Sequence, residues 1–306
     1  AAVLKARLLG RARLRHLQLL VAIADHGTLK GAAEHIGMSQ PAATQAIGEL
    51  ERLLELPLFE RHARGMRPCE AGQAMLPVVR QLLQALDVSL EAMAARQAGA
   101  SGLLRVGAIP AAIASLVAPT LHKVVERQPR LRLQIFEGTP LHLLNELAAG
   151  GLHLVLTRQP AELGSRFRFE PLCSDRAIVV ASPRHPLAGR AQVSLDELAA
   201  YPWMVPPAGV KVRDLFEELV ATGPPMQIHP VSTSSTALIL SLLGDHRTVV
   251  LGPASVAQAL LEQGLLVTLP MPARLPLVGL GAVYPEASRD EPALSALLDL
   301  LRPDGS

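Results

Sequence analysis

Three closely spaced helical stripes between Leu14 and Leu54 constrain this chain more than any other feature. Apolar residues at Leu14, Leu17, Leu20, Val21 and Ala24 repeat at the intervals of one helix face. His26-Gly27 stops that helix, and Thr28 is placed to cap the next. The second helix, Leu29 to Ile36, is short and ends at Gly37. Ser39 is an N-cap followed by Pro41, whose fixed φ suits the start of a helix. The third helix puts Ala43, Ile47, Leu50 and Leu54 on one face and leaves Gln40, Thr44 and Gln45 on the other, near its beginning. A short helix, a glycine turn and a helix that opens with small and amide side chains make the plan of a helix-turn-helix. Hydroxyls and amides of this kind bond base edges in the major groove. The same spacing also fits a helical hairpin packed on another element, so the flanking sequence matters.

Residues Leu56 to Pro68 read as a short apolar strand, a basic turn with Gly65 and a return strand. That is a β-wing, with Arg61, Arg64 and Arg67 placed to reach phosphates or the minor groove. After Gly72, Leu76, Val79, Leu83, Leu86, Leu90 and Met93 repeat as a heptad seam, expected of a helix that pairs with a second copy of itself. A helix packed on its own domain is the alternative. Two readers on a two-fold axis would match a palindromic site. Charge follows the same division: residues 1–67 hold ten Lys/Arg against six Asp/Glu, a net +4, and the remainder holds 19 against 21, a net −2. A basic small domain joined to a slightly acidic larger one suggests that only the first meets a polyanion.

The length of 306 residues fits two or three compact units. With 49% apolar but only 3% aromatic residues, the cores must be built from Leu, Val, Ala and Ile. Cys69 and Cys173 stand far apart, which argues against a disulfide scaffold or zinc site and for a reducing cytoplasm. The basic residues Lys5, Arg7, Arg11, Arg13 and Arg15 are not followed by an uncharged apolar run, so they do not read as a signal peptide. Nothing approaches the roughly 18 apolar residues of a membrane span. The expectation is a soluble, cytoplasmic protein without membrane contact.

Gly99 to Gly102 is a small, flexible hinge segment. Beyond it, Leu103–Ile109, Leu131–Phe136 and Leu152–Leu156 read as strands, with helices from Ala111 to Gln128 and from Leu141 to Ala149. Strand signals resume at Ala177–Ala181, Trp203–Val205, Val249–Leu251 and Leu277–Tyr284. Such alternation implies a parallel α/β sheet, and the number of strands implies two lobes. Ligands in such folds sit at the carboxyl ends of strands, against helix N-termini. Four loops meet that description: Ile109-Pro110-Ala111, Glu137-Gly138-Thr139, Pro206 to Val210 (including Pro207 and Gly209), and Val231 to Thr236 (including Ser234 and Ser235). Helix N-termini with hydroxyls favour a small carboxylate, although plain helix capping accounts equally for Ser232–Thr236.

The run from Thr28 to Glu51, together with Leu58-Phe59-Glu60-Arg61 and Glu70-Ala71-Gly72, resembles the LysR-type transcriptional regulators. The resemblance covers nearly the whole chain and is most specific in its first part; the second part is similar to the branch containing galactose-binding-protein and protocatechuate regulators. It implies an N-terminal all-α winged helix-turn-helix with a linker helix, followed by an α/β two-lobed periplasmic-binding-protein-like domain. The expected divisions are 1–70 for DNA binding, 71–98 for the linker helix and 99–306 for effector binding. Lobe I would span about 101–172 and 273–306, and lobe II about 173–272. By resemblance, Gln40, Pro41 and Thr44 approach bases, with Gln45 beside them, while Thr28, Lys30, Ser39, Arg61 and Arg64 hold phosphates or the minor groove. The effector would lie in the cleft between lobes, against Ile109, Pro110, Ala111, Thr139, Pro207, Gly209, Val210, Ser234 and Ser235.

The chain departs from the family pattern in places. Thr44 replaces a usual serine but keeps the hydroxyl. Pro68-Cys69 replaces a usual Leu-Thr and loses an N-cap worth about 1 kcal/mol. Pro77 falls where it would kink the linker helix or delay its start. Ile109 and Ala111 stand where a hydroxyl residue is common, which argues against a simple aromatic acid as effector.

Catalytic readings find little support: there is no GxSxG elbow, P-loop or HExxH helix. His142 and His153 are too far apart in sequence for local chelation, though folding could unite them; no metal and no cofactor are expected. Cys173, beside Ser174 and Asp175, reads as a buried structural thiol before a redox sensor. A solute-binding protein without DNA activity is the alternative, and the basic N-terminal module argues against it. The expected partners are double-stranded DNA bearing an inverted-repeat promoter site, a small-molecule effector and a second copy in a homodimer or homotetramer, with RNA polymerase as a further candidate. Effector binding would alter the lobes and so the spacing of the DNA-binding pairs.

Overall fold

The computed structural model describes residues 7–8, 10–62 and 65–302. After Gln97 the chain passes from one compact unit to a second.

The first unit contains α1 (Leu14–His26), α2 (Leu29–His35), α3 (Gln40–Leu54), the wing strands β1 (Phe59–His62) and β2 (Gly65–Pro68), and α4 (Glu70–Gln97). Gly27 ends α1 in the left-handed region at φ 67°, its N–H donating to the Ile23 carbonyl. Thr28 then caps α2, its hydroxyl oxygen accepting from the Gly31 N–H at 3.2 Å. Ser39 caps α3, accepting from the Ala42 N–H at 3.4 Å. Leu19, Leu20, Ile23, Ala32, Ala43, Ile47 and Leu50 form one buried core, joined by Leu58 and Phe59 of the wing and by Leu76 and Val79 of α4. Each buried Leu or Ile contributes about 1.5–3 kcal/mol.

Two expectations for α4 are revised. The helix is continuous from Glu70 to Gln97, with Pro77 inside it. The first part of the expected heptad seam faces inward: Leu76 and Val79 are core residues and Leu83 packs on them. Leu90 and Met93 of that seam are exposed, and so are Val78 and Leu82, which lie outside it. A three-helix unit this small cannot close its core alone, and the start of α4 supplies the missing wall. Cys69, where the cap was expected to be lost, donates its thiol to the Pro57 carbonyl at 2.9 Å across the base of the wing.

In the second unit, β3 (Gly102–Ala108) leads into α5 (Pro110–Ala112), a π-helical stretch Ile113–Val117 and α6 (Ala118–Arg127). There follow β4 (Leu131–Glu137), α7 (Pro140–Ala148), β5 (Leu154–Arg158) and the long β6 (Phe167–Ala181). Next come α8 (Leu195–Ala199), β7 (Pro202–Met204), α9 (Lys211–Thr222), β8 (Gln227–Ile228) and α10 (Thr236–Leu242). The unit ends with β9 (Val249–Pro253), α11 (Ala254–Glu262), β10 (Val267–Thr268), β11 (Leu275–Pro285) and α12 (Pro292–Leu301). The strands run in the order β4-β3-β5-β11-β6-β9-β7-β8, with β10 also paired to β6.

This sheet is mixed, which corrects the expectation of a parallel one. β3 is parallel to β4 and β5, and β7 to β8 and β9. β11 runs antiparallel to β5 and β6, and β6 to β9 and β10. The cause is that β6 and β11 are through-strands: each pairs in lobe I and continues into lobe II, where a chain that has crossed over meets its neighbours head-on. The first half of β6 carried no strand signal, because Pro171 interrupts the alternation; it sits opposite Gly281. Lobe I has one core around Val106, Leu143, Leu154, Leu156 and Leu297. In lobe II alternate residues face opposite ways, Val179, Trp203 and Val249 into one cluster and Val180, Met204 and Val250 into another.

Candidate functional site

The first candidate surface is the opening of α3 and the wing beside it. Ser39, Gln40, Pro41, Thr44 and Gln45 are all exposed, whereas Ala43, Ala46, Ile47 and Leu50 are buried. The inward residues anchor the helix and leave a compact polar row outward. Thr44 departs from the simplest expectation: its hydroxyl donates to the Gln40 carbonyl at 2.9 Å, so it offers an acceptor lone pair and a methyl group outward. Thr28 and Lys30 are exposed at the start of α2, with the Lys30 ammonium 4.0 Å from Glu34. So loose an exposed pair leaves the lysine available for a phosphate.

Arg61 lies opposite Met66 and Arg67 opposite Glu60 in the wing, both arginines exposed. Arg64 lies outside the described residues, as does Lys5. The wing is docked by its backbone: the Met66 N–H donates to the Gly27 carbonyl at 2.7 Å. Gly65 makes this approach at φ 135°, and a Cβ there would lie 2.2 Å from the Gly27 oxygen. The far end is held by Glu51, whose Oε1 accepts from the N–H groups of Leu58 at 2.8 Å and Phe59 at 3.4 Å. Sequence reasoning placed Glu51 in the motif without a role, and neither contact carries a local signal. Asp25 and Arg80 form an ion pair that joins α1 to α4.

The second candidate site uses the four loops of the sensor unit. Each precedes a helix: Ile109 is the N-cap of α5, Thr139 precedes α7, Val210 is the N-cap of α9 and Ser235 is the N-cap of α10. Ile109, Val210 and Ser235 make no side-chain cap, so the first N–H groups of those helices lack that partner. Thr139 does cap, accepting from the His142 N–H at 3.4 Å. Hydrogen bonds join the loops in pairs. In lobe I, the Ile109 N–H donates to Leu156 at 3.1 Å and the Gly138 N–H to Ala108 at 3.4 Å. In lobe II, the Ser232 hydroxyl donates to the Val205 carbonyl at 2.9 Å. Ile109 and Ala111 are buried, while Pro110, Thr139, Pro207, Gly209, Val210, Ser234 and Ser235 are exposed.

Beside these loops, burial pushes the Cys173 thiol above its ordinary value, although a Ser115 hydrogen bond works the other way. A thiol held protonated is a poor nucleophile, which favours the structural reading of Cys173. Among the described residues no cluster of three or more His, Cys, Asp or Glu could hold a metal, and no helix is long and apolar enough to cross a membrane.

Comparison with known proteins places both units. Residues 14–73 match the family described as bacterial regulatory helix-turn-helix protein, lysR family, and residues 97–305 match the LysR substrate binding domain. The chain is 30% identical over 303 residues to the HTH-type transcriptional regulator GbpR of Azospirillum brasilense, covering 98% of this chain and 87% of that protein. It is 29% identical to PcaQ of Agrobacterium fabrum, covering 85% of each. Among solved structures, full-length CbnR complexed with its target DNA aligns with a TM-score of 0.70 at 20% identity, over 94% of this chain and 98% of that one. The OxyR C206 mutant of Corynebacterium glutamicum aligns with a TM-score of 0.57 at 27% identity, over 95% and 91%.

Proposed function

Because the chain belongs to the LysR family of transcriptional regulators, we propose that it reads an inverted-repeat promoter site through α3 and the wing and answers to a small organic acid held between its two lobes. The observation that carries the DNA reading is the exposed row Ser39, Gln40, Pro41, Thr44 and Gln45 at the start of a helix whose opposite face, Ala43, Ala46, Ile47 and Leu50, is buried. Gln40 and Gln45 present amides for base edges, and Thr44 presents its methyl and a lone pair. Thr28, Lys30, Arg61 and Arg64 supply phosphate or minor-groove contacts, which set affinity without reading sequence. A homodimer or tetramer forms through the exposed stripe Val78, Leu82, Leu90 and Met93 of α4. Its two-fold axis accounts for the inverted repeat.

The organic-acid reading is supported by the N-termini of α5 and α9, which no side chain caps and where the helix dipole favours an anion. Ile109 and Ala111 give lobe I an apolar wall there. On this reading the acid carries an aliphatic part and a carboxylate, and the protein itself performs no chemistry on it.

The test is binding to a duplex from upstream of its own gene, with a scrambled duplex as reference and salt titrated. Arg61→Ala should weaken both duplexes and flatten the salt slope by about one unit. Gln40→Ala should shrink the ratio between the two duplexes by about five- to a hundredfold, the worth of one good base contact. Equal affinity for both duplexes in the wild-type protein would overturn the reading.

A further inference from the structure

The two through-strands cross between the lobes at one narrow point. Between Leu277 and Leu280 the ladder of β11 with β6 slips register, so the backbone of Val278 has no strand partner there. Gly279 is pressed against the facing chain: a Cβ on it would lie 2.8 Å from the Cys173 carbonyl oxygen. The orphaned Val278 carbonyl is taken by Arg158, at the end of β5, whose Nη1 donates to it at 2.6 Å. The Nη2 of the same guanidinium donates to Asp175 Oδ2 at 2.7 Å.

Asp175 lies on β6 opposite Leu277, beside the slip. Its side chain is 2% exposed and that of Arg158 12%, so this is an ion pair withdrawn from water. The carboxylate is fully used. Oδ1 accepts from the N–H groups of Arg176 at 2.8 Å and Ser255 at 3.2 Å. Oδ2 accepts from Arg158 and from the Ser255 hydroxyl at 2.8 Å. Ser255 is in the first turn of α11, whose own N-cap, Pro253, has no capping side chain. Asp175 therefore caps this helix from a different strand, with its charge at the positive end of the helix dipole.

α11 is the helix that meets both lobes. Val256 packs against the lobe I core, while Ala257, Leu260 and Leu261 pack in a lobe II cluster. It also lies against α5 and the π-helical stretch, the segment that carries Pro110 and Ala111. A change of angle between the lobes must shift α11 against one lobe or the other, and its N-terminus is fastened at the crossing.

We propose that Asp175 is a positioning residue for the effector response, pinning the N-terminus of α11 to the point where β6 and β11 cross so that movement at the Pro110–Ala111 loop is transmitted to the angle between the lobes. This rests on the reading of that loop as part of the effector site. Arg158 completes the pin from lobe I by binding both the carboxylate and the carbonyl released by the register slip. Breaking such a pair leaves a buried charge uncompensated, which makes the pin far more costly to open than an exposed one.

The experiment is amide hydrogen exchange on the full chain, comparing wild type with Ser255→Ala and Asp175→Asn. Ser255→Ala removes one of the four bonds and keeps the fold. It should speed exchange at residues 255–258 about threefold, and Asp175→Asn about tenfold or more, with matching increases at 278–279. Central lobe I amides of β3 and β5 should be unchanged, and the melting temperature of Ser255→Ala should stay within about 2 °C of wild type. A merely stabilising bond would raise exchange throughout the unit or lower the melting point in step. Either pattern overturns the pin, as does unchanged exchange at 255–258 in both variants. The measurement uses neither DNA nor effector, so its failure is separable from failure of the promoter-binding test.

Discussion

The DNA-reading unit and the sensor unit are held together in opposite ways. In the first, the three helices of the reader are started or stopped by chemistry within three or four residues: Gly27 ends α1, Thr28 takes the Gly31 N–H and Ser39 takes the Ala42 N–H. In the second, the decisive bonds span long stretches of chain. Arg158 reaches Val278 across 120 residues and Ser255 reaches Asp175 across 80. A reader that docks on a rigid duplex benefits from a small, locally specified shape. On the proposed function, a sensor whose lobes move benefits from few, distant fastenings at one crossing. Contacts of the second kind require loop closure before they stabilise anything, so the sensor unit should fold more slowly than the reader.

If the two units have separate stabilities, a core substitution in lobe II should cost the sensor unit alone. Trp203, the only tryptophan, is fully buried, 5.5 Å ring to ring from Phe216, with its indole N–H donating to the Leu198 carbonyl at 3.0 Å. Trp203→Ala should destabilise lobe II by about 3–5 kcal/mol, read by thermal melting. If the units are independent, affinity for the promoter duplex should fall by no more than about threefold at a temperature where the variant is still folded. Parallel loss of sensor structure and DNA binding would mean that the two units share one stability.

A smaller perturbation tests the other side. Gly65→Ala adds a Cβ 2.2 Å from the Gly27 oxygen at a backbone angle of φ 135°. The strain of about 1–3 kcal/mol should undock the wing, with about tenfold weaker duplex binding and no change in the melting of lobe II. Wild-type affinity in this variant would show that the Gly27–Met66 bond does not position the wing.

This asymmetry also explains what could be read in advance. Ser39, Pro41, Gly27 and Thr28 carry their meaning in side-chain and backbone preferences that operate over one turn, so the three helices were legible to within a residue or two at their ends. The wing was visible as strand, basic turn and strand, but not its docking, because the Met66–Gly27 bond joins separate elements. The heptad in α4 was a true apolar repeat whose first members turned inward, since periodicity tells which residues share a face and not what that face meets. In the sensor unit most of the longer strands are legible, whereas the two-residue β8 and β10 and the strand directions are not. Pro171 concealed the first half of β6, and nothing in the alternation distinguishes a strand that stays in its lobe from one that crosses. In the sequence Asp175 stands out only as a neighbour of Cys173; its partners Arg158 and Ser255 lie on other elements that only the fold brings together.

The sensor unit should also respond to acid. Burial pushes His153 in lobe I and His185 in lobe II below the ordinary histidine value of 6.5. Both rings are bonded in their neutral forms: Nδ1 of His153 accepts from the Arg105 N–H at 2.9 Å, and Nδ1 of His185 accepts from the Leu187 N–H at 3.1 Å. With folded values below the unfolded one, the unfolded chain binds more protons as pH falls below about 6.5. Stability from these histidines is therefore complete above that value and declines through the window down to the folded values. Trp203 fluorescence should report a lobe II melting temperature that drops between about pH 7 and about pH 5.5. His185→Asn keeps an acceptor for Leu187 but cannot titrate, so its melting temperature should be lower at neutral pH and its slope shallower across the same range. Identical slopes in the two proteins would remove His185 as a source of the acid sensitivity.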